Sequence, residues 1–251
     1  MVEQNIVLQA RSLCVEFGGV KAANNVDLAL YEGQLASIIG PNGSGKTTFL
    51  NLCSGYVKPT SGSVQYGGVN LTALKPRQIT RLGIVRTFQL PQLFAEQTVL
   101  DNVLLALASR EQFWNLKRLY RSHYLSEARE LLEMFGIAQH EHRVIQSLPE
   151  GVRKLVDTAL ALALSPQILL MDEPTSGVSS QEKFDIMDTL VPILRAQKVI
   201  ALALSYAERL RQLRKQKPEL AILIAETNPS LLESMADHLI TIERGEAQIQ
   251  S

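Results

Sequence analysis

Residues 38–50 read IIGPNGSGKTTFL, and few folds can accommodate the spacing of Gly40, Gly45, Lys46 and Thr47. This is the G-x-x-x-x-G-K-[ST] pattern of a loop that wraps a phosphate, and it works only between a buried strand and the first turn of a helix. Both flanks fit. Leu35, Ala36, Ile38 and Ile39 form the apolar run of such a strand, and residues 47–54 read as the helix. The small residues of Gly40, Pro41, Asn42, Gly43, Ser44 and Gly45 let successive backbone N–H groups turn inward around a β-phosphate at the positive end of that helix. Lys46 is expected to bridge β- and γ-phosphates and the Thr47 hydroxyl to ligate Mg²⁺, with Thr48 completing the nucleotide-binding set. The ligands implied are a nucleotide's β- and γ-phosphates and Mg²⁺.

Composition sets bounds around that loop. With 251 residues and 46% apolar content, the chain can bury a substantial core and is not a disordered polymer. Lys and Arg balance Asp and Glu at 25 each, so no general nucleic-acid surface is expected. Uninterrupted apolar runs such as 103–108 and 159–164 fall far short of the roughly 20 residues that span a bilayer. The first residues, MVEQNIVLQARS, lack the layout of a signal peptide. Cys14 and Cys53 show no metal or redox spacing, which suits a soluble, reducing compartment.

Along the chain, residues 6–17 alternate like a half-buried strand, Gly18-Gly19 turns, and residues 26–30 alternate again, which suggests a small antiparallel layer. Phe17 stands where its ring could stack on a purine, or simply close a strand. Residues 63–66 and 83–88 read as further strands, and Gln89 follows the second, placed to reach Mg²⁺ or an attacking water from a flexible loop. From Thr98 to Leu164 apolar residues recur at helical spacing, forming a helical lobe. QILLMDEP at 167–174 then ends a strand on two carboxylates. Asp172 is placed to hold Mg²⁺ through water and Glu173 to polarise the water that attacks the γ-phosphate, making Glu173, Lys46 and Gln89 the catalytic set and Thr47, Gln89 and Asp172 the metal set.

GPNGSGKTT, GIVRTFQLPQLFAEQTVLDNVLLA and ILLMDEPTSGVSSQEK together resemble the ATP-binding subunit of an ATP-binding-cassette transporter. The phrase around Gln89 most resembles the branched-chain and related amino-acid uptake branch. The resemblance runs from about residue 8 to 245 and implies an α/β fold: a P-loop NTPase core with a mixed sheet, an antiparallel β subdomain and an inserted helical subdomain. The core and β parts then take approximately 1–90 and 165–251, and the helical part 91–164. It also implies transmembrane permease subunits and a second cassette as partners, two ATP molecules between the cassettes, no nucleic acid, and a peripheral place on the cytoplasmic face of the membrane.

Two departures stand against the pattern. Where the family carries L-S-G-G-Q, whose serine and glycines contact the ATP of the opposite subunit, this chain reads Ser147, Leu148, Pro149, Glu150, Gly151, Val152. Pro149 has neither hydroxyl nor N–H, and Glu150 brings negative charge toward phosphate. A structural reading stands beside this one: Ser147-x-x-Glu150 as a capping box opening a helix over 151–164. The family's switch histidine is also missing, since counting from either side gives Tyr206 or Thr227, with about 20 extra residues that include a basic helix around 207–217. His123, His140, His142 and His238 read as surface or capping residues. The motifs thus admit a hydrolysing transport subunit or a weakly hydrolysing regulatory half of an asymmetric pair. A cytosolic repair or translation protein fits less well, because the chain has neither a coiled-coil insertion nor a second cassette.

Overall fold

The computed structural model describes residues 6–31, 35–39, 41, 43–110, 122–172, 176–178, 186, 189, 222–226, 238–243 and 245–250. They fall into two compact units, one drawn from Met1–Arg86, Gln167–Glu173 and Ile200–Ser251, the other from Thr87–Pro166 and Pro174–Val199.

In the first unit, β1 (Ile6–Phe17) and β2 (Val20–Tyr31) form a long hairpin turned at Gly18 and Gly19. Their ladder slips at several points, and at one of these the Ser12 N–H donates to Asp27 Oδ1 at 2.8 Å. β4 (Ser61–Tyr66) pairs antiparallel on the other side of β1 and β5 (Val69–Asn70) on β4, giving a four-stranded antiparallel sheet. The second sheet is mixed and six-stranded: β10 (Glu246–Gln250), β9 (His238–Glu243), β3 (Leu35–Ile39), β8 (Ile222–Glu226), β7 (Ile168–Asp172), β6 (Ile84–Arg86). Only β9–β10 is antiparallel. Every residue of β7 is buried, as a central strand of a parallel sheet requires, and that is why its sequence is an apolar run rather than an alternation. Helix α1 (Lys46–Cys53) has only eight residues and would be marginal alone. It is held because Phe49, Leu50, Leu52 and Cys53 join the core with Leu13, Leu30, Ile38, Ile84 and Ile168. Each large side chain so buried contributes about 1.5–3 kcal/mol. A short helix α2 (Pro76–Arg81) precedes β6.

The second unit is helical. α3 (Val99–Arg110) starts at a reciprocal cap in which the Asp101 N–H donates to Thr98 Oγ1 at 3.1 Å and the Thr98 hydroxyl to Asp101 Oδ2 at 2.6 Å. α4 (Ser122–Met134) and α5 (Glu150–Ala163) follow, with two 3₁₀ turns between them. The capping box expected at Ser147 and Glu150 does not form. Ser147 turns its hydroxyl back to the Val144 carbonyl, Pro149 takes the N-cap position, and Glu150 pairs with Arg153 one turn along. Extended backbone at Pro149, ψ 153°, satisfies the entry to the helix without a side-chain cap.

Candidate nucleotide-binding site

The loop ahead of α1 is shaped from beneath. Gly45 has φ 109°, a conformation side-chain-bearing residues rarely adopt, and a Cβ there would lie 2.3 Å from the Ala22 carbonyl oxygen on β2. The turn between β9 and β10 closes the other side, where the Gly245 N–H donates to the Ser44 carbonyl at 3.1 Å. Within the loop, Ser44 N–H donates to Pro41 O at 3.2 Å and Phe49 N–H to Gly45 O at 2.8 Å, so the turn runs directly into the helix. The Lys46 side chain is 5% exposed and folds over the loop, its ammonium donating to Pro41 O at 3.1 Å. Ser44 Oγ is buried with no hydrogen-bond partner among the described residues. A buried orphan hydroxyl beside a lysine at a helix N-terminus is a donor set that suits a phosphate. Pro41 and Gly43 are exposed; Gly40 and Asn42 lie outside the described residues.

Asp172, 2% exposed at the end of β7, meets this loop: Thr47 Oγ1 donates to its Oδ1 at 3.2 Å. A hydroxyl and a carboxylate oxygen at that separation can both face one hard cation, which is the geometry Mg²⁺ with a nucleotide requires. The other oxygen, Oδ2, accepts from an Arg86 guanidinium nitrogen at 2.8 Å, both side chains being almost wholly buried. Arg86 also donates to Asn51 Oδ1 on α1 and approaches Ser54 Oγ at 3.5 Å. Burial lowers the Arg86 pKa, and the Asp172 charge opposes that shift. Sequence reasoning passed over Arg86, although a signal was there: one charge inside the apolar strand GIVRTF must have a buried partner.

The family described as ABC transporter matches residues 23–176, more than half of the chain. The chain belongs to the ABC transporter family. It is 37% identical over 202 residues to the high-affinity branched-chain amino acid transport ATP-binding protein LivG of Escherichia coli (strain K12), covering 75% of this chain and 77% of that one. With the BraF protein of the same description from Pseudomonas aeruginosa it shares 29% identity over 247 residues, 95% of this chain and 89% of that one. The crystal structure of the ADP conformation of MJ1267, an ATP-binding cassette of an ABC transporter, superposes with a TM-score of 0.75 at 28% identity, covering 97% of this chain and 89% of that one.

This cassette is therefore an ATP-binding subunit and ABC-type ATPase of a transporter, and such subunits work with transmembrane permease subunits. The expected P-loop NTPase fold is the one observed. No helix among the described residues is long and apolar enough to cross a membrane.

Lys46, Thr47 and Asp172 come together in the first unit. Phe17, at the end of β1, is 50% exposed, so its ring is open to stacking. Gln89 belongs to the second unit, where its side chain is exposed and its backbone is fixed by α5. Lys154 donates to the Gln89 carbonyl and, at 3.2 Å, to Ser176 Oγ; Asp157 Oδ2 accepts the Phe88 N–H at 3.4 Å. Desolvation pushes the Asp157 pKa up from 3.8 to about 6, against the pull of the Phe88 N–H, Lys154 and the Gln92 backbone. Neither Lys154 nor Asp157 was singled out from sequence, though a Lys and an Asp three residues apart on the buried face of an apolar helix mark a polar clamp. Glu173, Tyr206, Thr227 and the basic helix at 207–217 lie outside the described residues.

Proposed function

We propose that this cassette powers uptake of branched-chain or chemically similar amino acids, with Mg²⁺ bound alongside ATP, from the cytoplasmic face of the membrane and beside a second, different cassette. The observation that carries the nucleotide-site reading is the approach of Thr47 Oγ1 to Asp172 Oδ1 next to the buried Lys46 ammonium. Lys46 would compensate charge on the β- and γ-phosphates, and Thr47 and Asp172 would hold Mg²⁺, which would neutralise phosphate charge there. Glu173 accepts the proton of the attacking water, Gln89 orients that water or the metal from its loop, and Phe17 stacks on the base. Gly40 to Gly45 and Thr48 complete the cradle. The names of these relatives support the choice of solute.

A second reading, the weakly hydrolysing half of an asymmetric pair, is favoured by Pro149 at the N-cap of α5, which offers no N–H where the family has a donor. The Arg153 guanidinium on Glu150 offsets part of the negative charge that sequence alone assigned to this turn. The test of nucleotide binding is calorimetry with Mg-ATP. Lys46→Ala should weaken binding by about 1.5–3 kcal/mol for each charge-assisted contact removed, and an unchanged affinity would refute the reading.

A further inference from the structure

Arg86 is a cation buried against the carboxylate that the proposed function assigns to the metal. Both oxygens of Asp172 are engaged, Oδ2 by Arg86 at 2.8 Å and Oδ1 by Thr47 at 3.2 Å. The guanidinium cannot swing aside easily, because Asn51 on α1 and Ser54 at its C-terminal cap hold its other edge. Cys53, whose thiol burial pushes up to about 12, stays neutral beside it and offers no competing anion. We propose that Arg86 is an internal counter-ion that makes divalent-metal binding at Thr47 and Asp172 conditional on the nucleotide. This rests on the nucleotide-site reading above and deepens it.

The reasoning is electrostatic. Asp172 already has its charge neutralised at contact distance, so a dication arriving alone gains little attraction and meets repulsion from the guanidinium. Mg²⁺ and its congeners also dehydrate reluctantly and are ordinarily held by one or two carboxylates plus substrate phosphates. Phosphates supply the missing negative charge, so metal is retained only together with nucleotide. Substituting Arg86 by an uncharged residue exposes the full Asp172 charge, and removing one charge beside a dication site shifts its affinity by about tenfold or more.

The probe is Mn²⁺ alone, followed by the paramagnetic resonance of the free ion, with thermal unfolding as a second readout. Wild-type chain should retain no stoichiometric Mn²⁺ without nucleotide and one Mn²⁺ with ADP present. Arg86→Met should bind one Mn²⁺ without nucleotide at least about tenfold more tightly than wild type, and Arg86→Met/Asp172→Asn should lose that gain. Arg86→Lys, which keeps the charge, should behave as wild type; a purely structural role for Arg86 would not distinguish Lys from Met in this way. Stoichiometric Mn²⁺ on the wild type without nucleotide, or a gain that survives Asp172→Asn, overturns the inference. The wild-type arm can overturn the inference even if Arg86→Met does not fold. Failure of ADP to bind at all would instead sink the nucleotide-site reading, whereas ADP binding with equal Mn²⁺ retention in its absence sinks only the role of Arg86.

Discussion

Replacing Asp157 by asparagine should stabilise the cassette at neutral pH and far less near pH 4. The carboxyl is 8% exposed and its pKa stands near 6 in the fold against 3.8 in the unfolded chain. Between those values the folded chain holds the proton and the unfolded chain does not, so this group's contribution to stability falls as pH rises through the interval. At about 1.36 kcal/mol per pH unit the gap is worth about 3 kcal/mol, fully expressed above roughly pH 7 and absent below roughly pH 3. Asparagine keeps an oxygen for the Phe88 N–H while never carrying charge. It should therefore gain up to about 3 kcal/mol over wild type near pH 7.5 and less than about 1 kcal/mol near pH 4, with half the difference lost near pH 5. Urea unfolding of both chains across that range measures it, the acid response of every other carboxylate cancelling in the difference. A stability difference that does not vary with pH, or wild type gaining on the variant as pH rises, would refute the argument and show that Lys154 compensates the charge fully.

Two further outcomes follow from the proposed roles. Glu173→Gln should leave Mg-ATP affinity intact while lowering steady-state turnover by about 10² or more, and a residual rate insensitive to the change would mean the residue is not the general base. Pro149→Ser with Glu150→Gly, in the Glu173→Gln background, should strengthen ATP-dependent self-association in sedimentation; tight ATP-dependent homodimers regardless of the signature would rule out the asymmetric pair.

The parts of this site that were legible in sequence are those fixed by local chemistry. Gly45, Lys46 and Thr47 need a strand before and a helix after, and Asp172 closes an apolar run, so spacing alone placed them. β1 was read to its ends, but β2 was read as residues 26–30 when it runs from Val20 to Tyr31. The polar stretch KAANN is held extended by pairing of Lys21 with Glu16 and of Ala23 with Val15, a tertiary partner that its own composition does not announce. The capping motif was sought at Ser147, where a proline could take the N-cap instead, and missed at Thr98 and Asp101, where it forms. Arg86, Lys154 and Asp157 were invisible for a related reason. Each is a charge placed by a partner far along the chain: 86 residues separate Arg86 from Asp172, and 65 separate Lys154 from Gln89.

The contact between Ser44 and Gly245 bears on how the protein is made. Gly245 also accepts the Asn24 N–H, so the turn between the last two strands ties down both the phosphate loop and the strand beneath it. A polypeptide emerging from the ribosome has synthesised Lys46 long before it has this buttress. Nucleotide therefore meets the buttressed loop only after the β9–β10 turn has been made, and the energy of binding it is added to the folded state that contains that turn.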